Sequence, residues 1–245
     1  MKKLMFAAIA AVSLCGCAPK DNSFKMITEA TFPPYEFLRG QEVVGLDVEL
    51  CKAIAAKLGK EFKVESVDFD SVIPALISGK ADIAAAGITI TEDRKKNVDF
   101  SIPYEKTGIV IVYKKSVPYL TGESLKGKRV GVQSGTTSET YVMEQLKQEP
   151  ERMRSPAEAC AALEAGRVDA VIADIEPAKN CVKGEDDLAM TDFITSEEYA
   201  VAIQKGQPEM LAAINEVITE LKANGKLAAW KAQFVEESDK LKEAK

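Results

Sequence analysis

The chain has 245 residues, of which 46% are hydrophobic and 29% are charged, and it contains no histidine. This composition is typical of a globular protein. Because the chain has no imidazole, Ser-His-Asp and Cys-His nucleophilic sites, zinc centres with histidine ligands and histidine general bases are excluded. The formal net charge of -6 and the lack of a basic block argue against a nucleic-acid-binding surface. An anionic ligand would therefore need a local pocket.

The N-terminus has the features of an export sequence. Lys2 and Lys3 precede an uncharged apolar run over residues 4–14, which is shorter than the ~20 residues that a transmembrane helix needs. The run ends in Leu-Cys-Gly-Cys, which resembles the bacterial lipobox. We therefore expect a lipoprotein signal peptide over residues 1–16, lipidation of Cys17 and a tether over residues 17–23; an ordinary signal peptide cut elsewhere is the alternative. Cleavage removes two of 32 positive charges and leaves 38 negative ones, a mature net charge of -8.

Three further cysteines belong to the globular part of the chain, namely Cys51, Cys160 and Cys181. Their number is odd and none lies in a CxxC motif, so neither a disulfide framework nor a metal site is indicated. Cys160 and Cys181 flank one predicted strand and could be neighbours, but we expect them to act as core residues. We assign no metal and no cofactor to this chain.

Short apolar runs alternate with helical periods along the chain. The first half is predicted as βαβαβ, with strands at 25–28, 62–67 and 82–87 and helices at 47–58 and 72–77. Gly59 is predicted as the left-handed cap of the first helix. A β-branched apolar run at 108–113 predicts a strand that is covered on both faces. Further predicted elements are strands at 129–133 and 170–173 and helices at 138–147, 157–165, 208–223 and 227–234.

One seven-residue frame occurs at 76–82 and again at 163–169, 87 positions later. It consists of Leu, two residues, Gly, a basic residue, a small apolar residue and Asp. Each copy would end a helix on glycine and lead directly into a parallel strand. The same helix-to-strand connection would therefore occur twice. We therefore expect two lobes of similar topology. The C-terminal helices imply that the chain crosses between the lobes twice.

Polar groups follow the predicted strands at their carboxyl ends, which is where open parallel α/β sheets bind ligands. These groups are Glu29, Gly87 and Thr89, the segment 134–138, and Asp174. Acids, hydroxyls and glycine-exposed amides in one crevice suit a small zwitterion that offers both donors and acceptors.

Arg94 lies in the first turn of a predicted helix that Thr91 caps and that Glu92 and Asp93 begin. The macrodipole disfavours a cation there, and pairing with Glu92 or Asp93 in solvent is one interpretation. An arginine beside helix amides can also clamp a carboxylate with two hydrogen bonds. The neighbouring hydroxyl and glycine favour the clamp.

Two aromatic residues follow strand ends and could form the walls of a pocket. Phe32 precedes two prolines that make its loop extended and stiff, and Phe69 stands between two aspartates. Either ring could stack on a ligand side chain, and core packing is the alternative for both.

Five segments together resemble the polar amino-acid-binding proteins of bacterial ABC importers, which are solute-binding proteins of family 3. The segments are EATFPPYEF at 29–37, GLDVEL at 45–50, GITITEDRKK at 87–96, GVQSGTT at 131–137 and DAVIAD at 169–174. They occur in the order and at the spacing of the family, and the resemblance runs from about Phe24 to the C-terminus.

The resemblance implies an α/β fold with two Rossmann-like lobes joined by a two-strand hinge, the type II periplasmic-binding-protein-like architecture. Lobe 1 would comprise residues 24–103 and 200–245, and lobe 2 residues 109–194. Residues 104–108 and 195–199 would form the hinge. The resemblance also implies a monomer that is not an enzyme.

The resemblance further implies how the charged groups of an amino acid are held. Arg94 would bind the α-carboxylate with the Thr89 hydroxyl and backbone amides of lobe 2 near Thr137, while Asp174 and the backbone near Gly87 would bind the α-ammonium. Phe32 and Phe69 would sandwich the side chain, with Glu29 and Asp47 at its far end. The full set of implied ligand-binding residues is Glu29, Phe32, Asp47, Phe69, Ala86, Gly87, Thr89, Arg94, Gln133, Thr136, Thr137 and Asp174.

Gln133 stands where the glutamine-binding pattern has a lysine. A neutral Gln133 beside Glu29 would leave the distal pocket negative, and a buried carboxylate without a cationic partner is costly. We therefore expect a cationic ligand, arginine first and then lysine or ornithine. Glutamine, histidine and cystine remain open.

The expected partners are a polar amino acid, an ABC transporter permease and, through the lipid anchor only, the extracytoplasmic face of a membrane; no nucleic acid is expected. Closure of the lobes over the ligand would precede delivery to the permease. One alternative is an enzyme that resembles the cyclohexadienyl dehydratases and uses Glu29 as an acid. Another alternative is a ligand-sensing module that acts on a separate receptor.

Overall fold

The computed structural model describes residues 22–243. The predicted signal peptide, the lipidation site Cys17 and the tether residues up to 21 lie outside the described residues. Ser23, the last residue of the predicted tether, already belongs to the first strand. Within residues 22–243, no helix combines the length and the apolar character that a membrane crossing would require.

A five-stranded sheet forms the centre of the lobe that we call lobe 1, with the strand order β5-β1-β6-β15-β7. The strands are β1 (Ser23–Thr28), β5 (Glu61–Ser66), β6 (Ile83–Ala84), β7 (Val98–Phe100) and β15 (Ala202–Gln204). Strand β1 pairs in parallel with β5 and β6, whereas β15 runs antiparallel between β6 and β7. A late segment of the chain therefore completes a sheet that the first hundred residues begin.

The helices of lobe 1 are α1 (Leu46–Lys57), α2 (Phe69–Ile77), α3 (Glu92–Lys95), α7 (Pro208–Ala223) and α8 (Lys226–Glu243). Val48, Cys51, Ile54 and Ala55 of α1 are buried in the lobe 1 core. Gly59 adopts the predicted left-handed conformation just beyond the helix, with φ of 65°. The predicted bounds of α7 are confirmed, but α8 continues well beyond residue 234. A small sheet of β2 (Thr31–Phe32), β3 (Glu36–Arg39) and β4 (Glu42–Val44) was not predicted.

A second five-stranded sheet, with the order β11-β10-β12-β9-β13, forms the centre of lobe 2. Its strands are β9 (Ile109–Lys114), β10 (Val130–Gln133), β11 (Glu151–Met153), β12 (Ala170–Asp174) and β13 (Leu188–Met190). The helices of this lobe are α4 (Thr137–Glu144), α5 (Pro156–Glu164) and α6 (Ile175–Val182), and a 3-10 turn spans Gly122–Leu125. The first four residues of β9 are buried, as its apolar sequence predicts.

Two short strands join the lobes, β8 (Glu105–Thr107) and β14 (Glu197–Tyr199), and they pair with each other. Tyr199 of β14 also forms an isolated antiparallel bridge with Thr89 of lobe 1. Two lobes of mixed α/β structure and one connecting two-strand ladder confirm the predicted fold class. The numerical boundaries of lobes and hinge stay predictions.

The repeated seven-residue frame has a structural counterpart in each lobe. Gly79 and Gly166 have φ of 76° and 70°, and they end α2 and α5 just before strands β6 and β12. The aspartate that closes each frame accepts a backbone hydrogen bond, Asp82 from Lys25 at 2.8 Å and Asp169 from Arg129 at 2.9 Å. Each aspartate thereby fixes its strand to the start of a neighbouring one.

The expectation that Cys160 and Cys181 act only as core residues is corrected by the structure. Both are buried in lobe 2, but they are also joined by a disulfide bond. Helices α5 and α6 pack against each other and bring the two Cα atoms to 5.7 Å although the residues are 21 positions apart. Cys51 is a buried free thiol in lobe 1.

Candidate functional site

A narrow cavity of about 20 Å³ lies between the lobes. Eight of the twelve predicted ligand-binding residues line it, namely Glu29, Phe32, Phe69, Ala86, Gly87, Gln133, Thr136 and Asp174. The topology explains their meeting, since Glu29 follows β1, and Gln133 and Asp174 end β10 and β12. The carboxyl ends of the parallel strands of both sheets thus face one cleft.

Glu29 and Gln133 form a direct contact between the lobes. Gln133 Nε2 donates to Glu29 Oε2 at 2.6 Å and to the backbone oxygen of Arg154 at 3.0 Å. Glu29 is only 5% exposed. Burial raises the pKa of Glu29 to about 7, and the negative charges of Asp68 and Asp70 add to this, while the hydrogen bond from Gln133 opposes it. The distal part of the cavity therefore holds a carboxyl group whose hydrogen-bonding partner from lobe 2 is neutral.

Asp174 lines the same cavity from lobe 2, at the end of β12. Tyr199 of strand β14 donates its hydroxyl hydrogen to Asp174 Oδ1. Burial raises the pKa of Asp174 to about 7, the charge of Glu197 adds to the shift, and Arg94 and the Tyr199 hydrogen bond oppose it. An ammonium ion at this position would restore the carboxylate form.

The Phe32 ring forms one wall of the cavity and packs on other aromatic side chains. Its centroid lies 5.2 Å from that of Tyr35 and 6.1 Å from that of Tyr199. Gly87 faces this ring with φ of 53°, and a Cβ atom at that position would overlap Phe32. Glycine is therefore required there for both its conformation and its lack of a side chain.

The Arg94 guanidinium spans the cleft. Arg94 Nη1 donates to the backbone oxygen of Thr89 at 2.8 Å, and Nη2 donates to the backbone oxygen of Gly135 in lobe 2 at 3.0 Å. The guanidinium carbon also lies 5.6 Å from the centroid of the Phe69 ring. Thr91 accepts a hydrogen bond from the Arg94 amide at 3.2 Å, which confirms the predicted N-cap.

Arg94 and Thr137 do not line the first cavity but a second one between the lobes, together with Gly135 and Glu197. Desolvation lowers the pKa of Arg94, and the negative charges of Asp174 and Glu197 oppose that shift. The guanidinium therefore lies in the field of acids from lobe 2 and from the connecting ladder.

The hydroxyls of Thr89 and Thr137 share one acceptor, Glu197 Oε2, each at 2.9 Å. Thr89 follows β6 in lobe 1, Thr137 begins α4 in lobe 2, and Glu197 begins β14. Sequence reasoning did not identify Glu197, because an acidic residue in a polar run gives no indication that it will face two hydroxyls.

Asp47 does not line the cavity. It is fully buried in lobe 1, where its Oδ2 accepts hydrogen bonds from the Gly87 amide at 3.0 Å and from the Tyr104 hydroxyl at 2.8 Å. Burial raises the pKa of Asp47 to about 6 and that of the adjacent, fully buried Glu36 well above its usual value. Asp47 thus supports Gly87 from behind the wall of the cavity.

Ser138 lines the cavity; it belongs to the predicted crevice segment 134–138 but not to the set of ligand-binding residues that the resemblance implies. Its hydroxyl is buried and has no hydrogen-bonding partner among the described residues. Thr136 is better satisfied, since its hydroxyl donates to the backbone oxygen of Gln133 at 2.7 Å and caps α4 by accepting from the Glu139 amide at 3.3 Å. Ser138 is therefore an additional polar group that a ligand could use.

Comparison with known proteins places this arrangement in a family. The model of the bacterial extracellular solute-binding proteins, family 3, matches residues 24–237. The chain is 31% identical to the ABC transporter arginine-binding protein 1 of Escherichia coli, with 92% of this chain and 95% of that protein covered. It is 33% identical to the L-cystine-binding protein of Escherichia coli, with 82% and 78% covered, and 33% identical to a probable histidine-binding protein of Neisseria gonorrhoeae, with 92% of each covered.

Solved structures give the same result at the level of the fold. A mutant of the arginine-binding protein from T. maritima superposes with a TM-score of 0.82 and 37% identity, covering 88% of this chain and 96% of the other. An ancestral arginine-binding protein bound to glutamine superposes with a TM-score of 0.80 and 41% identity, covering 87% and 97%. The chain therefore belongs to the bacterial extracellular solute-binding proteins, family 3.

Proposed function

We propose that the cleft binds a polar L-amino acid with a cationic side chain, arginine first and then lysine or ornithine, for delivery to an ABC transporter permease. The observation that carries the proposal is the buried Glu29 carboxyl group, whose partner across the cleft is the neutral Gln133 amide at 2.6 Å. A guanidinium or ammonium group beside Glu29 would balance its charge, whereas a neutral ligand would leave a buried acid without a cation. The arginine-binding proteins among the similar proteins support the same choice.

The α-ammonium would bind at Asp174, whose carboxyl group faces the cavity from lobe 2. The α-carboxylate would bind beside Arg94 and the first amides of α4, because a guanidinium and a helix N-terminus both favour an anion. Each end of the zwitterion would then have partners in lobe 2, and Arg94 and Phe32 would contact it from lobe 1. Closure follows because the closed arrangement offers more ligand contacts than either lobe alone.

The same proposal includes export, lipidation at Cys17 and action as a monomer on the extracytoplasmic side of the membrane. Radiolabelled palmitate should label the full-length protein in cells, and a Cys17→Ala variant should remain unlabelled and leave the membrane fraction.

A thermal-shift screen of purified protein with the twenty amino acids, ornithine and cystine tests the proposal. Arginine, lysine and ornithine should raise the unfolding temperature most, since a ligand that binds the folded chain stabilises it by mass action. A largest shift with glutamine, histidine or cystine would contradict the cationic preference. The proposal also holds that the cleft only binds its ligand, so turnover of prephenate or arogenate by the purified protein would contradict it.

A further inference from the structure

We propose that Glu197 is a positioning residue that ties the two lobes together in the closed arrangement, through a bridge that runs from Thr89 over Glu197 to Thr137. The inference rests on the proposed function, because it concerns how the cleft closes on its ligand. Part of the free energy of lobe closure then comes from contacts between protein groups and not from contacts with the ligand.

The geometry places one carboxylate between three hydroxyls. Glu197 Oε2 accepts from Thr89 of lobe 1 and from Thr137 of lobe 2, each at 2.9 Å, and Oε1 accepts from Thr195 at 3.1 Å. Hydrogen bonds to an ionised acceptor are roughly twice as strong as those between neutral groups. All four groups are at least partly buried, which reduces competition from water.

Glu197 lies on the two-strand ladder between the lobes, so its hydrogen bonds depend on how the lobes are placed. Glu197 begins β14 and pairs with Thr107 of β8 in the two-strand ladder that joins the lobes. The contact with Thr89 lies within lobe 1 and the ladder, whereas the contact with Thr137 requires α4 of lobe 2 to approach. The Thr137 contact therefore forms on closure, whichever amino acid lies in the cleft.

The bridge also decides what the two threonines can offer a ligand. A hydroxyl has one hydrogen, and here Thr89 and Thr137 both direct it to Glu197. An α-carboxylate, which accepts hydrogen bonds only, would then depend on Arg94 and on backbone amides. In this arrangement the threonine side chains act in closure and orientation, and the contact of the Thr89 hydroxyl with the ligand carboxylate stays a prediction.

The test is the substitution Glu197→Gln, with dissociation constants for arginine, lysine and glutamine measured by titration calorimetry. A contribution to closure is common to all ligands, so each should bind about 10-fold more weakly, by the same factor within about twofold. The dissociation rate should rise in stopped-flow measurements while the association rate changes little. The matched control is Glu198→Gln, which removes the same charge from an exposed neighbour on the same strand.

A second pair of variants keeps the test decisive if Glu197→Gln does not fold. Thr137→Ser retains the hydroxyl and should bind more tightly than Thr137→Val, which should reproduce the uniform loss. In a double variant, Glu197→Gln and Thr137→Val should lose less than the product of their separate factors, because both break one contact.

Three results would overturn the inference. A gain in affinity would make Glu197 a competitor of the ligand carboxylate, unequal losses for arginine and glutamine would make it a specificity contact, and a Glu197→Gln effect no larger than that of Glu198→Gln would give it no role. Failure of the parent chain to bind any amino acid would contradict the proposed function, which is a separate and distinguishable outcome.

Discussion

In the proposed function, Arg94 is the cationic side chain that binds the α-carboxylate of the ligand. Arg94→Ala should weaken arginine binding by more than about 100-fold, since a charged hydrogen-bonding partner is lost from a partly buried site. Calorimetry measures the loss, and far-ultraviolet circular dichroism verifies the fold. Lys96→Ala serves as the control, because Lys96 is exposed and pairs with the exposed Asp93. Undiminished affinity in Arg94→Ala would refute the assignment.

Glu29 should determine the preference for a cationic side chain. Glu29→Gln preserves shape and hydrogen bonding but removes the charge, so arginine should bind about 30-fold more weakly while glutamine changes by less than about threefold. Competition of both ligands in a fluorescence titration provides the two constants. Glu65→Gln, at an exposed position on β5, is the matched control. Equal losses for arginine and glutamine would show that Glu29 acts through structure instead of charge.

The raised pKa of Glu29, about 7, makes the selectivity depend on pH. A cationic ligand needs the carboxylate form, so at low pH binding must first remove a proton from Glu29. The ratio of the glutamine to the arginine dissociation constant should therefore rise from about pH 5.5 to about pH 8. Using the ratio removes the effect of Asp174, which faces the ammonium group common to both ligands. A ratio that is constant over this range would contradict the prediction.

The residues at strand ends could be predicted from sequence, whereas the residues behind them could not. Glu29 and Asp174 follow apolar runs, and the topology of parallel sheets brings such positions together. Gln133 was predicted from the family resemblance alone. Tyr199 and Glu197 reach the site from the returning strand β14, more than a hundred residues after Glu29 and Thr89. No local pattern reports a contact over that separation.

At the scale of elements, the disulfide between α5 and α6 should stabilise lobe 2 without shaping the ligand site. The double substitution Cys160→Ala and Cys181→Ala should lower the free energy of unfolding by about 2 to 4 kcal/mol, because a loop of this length constrains the unfolded chain. Urea unfolding measures the change, and dithiothreitol should destabilise the parent chain but not the double variant. Equal sensitivity of both proteins to dithiothreitol would contradict a structural disulfide.

Long periodic elements were predicted better than short ones. The bounds of α7 agree with its sequence pattern because proline begins the helix and its apolar face repeats over sixteen residues. Strands β2, β3 and β4 have two to four residues each, which is too few for a period to appear. Helix α8 was predicted too short because its second half is polar and shows no apolar period. Ion pairs such as that between Glu236 and Lys240 stabilise this part of the helix.

At the scale of the whole molecule, buried acids should make the ligand-free chain less stable as pH rises. Burial raises the pKa of Glu29 from 4.5 to about 7. It raises the pKa of Asp174 from 3.8 to about 7 and that of Asp47 from 3.8 to about 6. At pH values between the unfolded and the folded pKa of each acid, the folded chain binds more protons than the unfolded chain. The free energy of unfolding therefore falls as the pH rises.

Urea unfolding at a series of pH values measures this dependence. The loss from about pH 5 to about pH 8 should be on the order of 2 kcal/mol or more, because one pKa unit corresponds to about 1.4 kcal/mol. Glu29→Gln should show a smaller slope than the parent chain. Stability that is constant or that rises over this range would show that the acids are already ionised in the folded chain.

The repeated frame of leucine, glycine and aspartate allowed two similar lobes to be predicted, since each copy ends a helix and begins a strand. The relative position of the lobes could not be predicted, because contacts such as the one between Arg154 and Asp68 at 2.9 Å join exposed side chains that have no pattern in the sequence.

If the buried Glu29 carboxylate selects a cationic amino acid, calorimetry should separate L-arginine from L-citrulline. The two ligands share their size and shape, but the ureido group of citrulline is neutral. Arginine should bind at least about 100-fold more tightly, because only its guanidinium can pair with the Glu29 carboxylate. Equal or tighter binding of citrulline would show that the charge of Glu29 does not select the ligand.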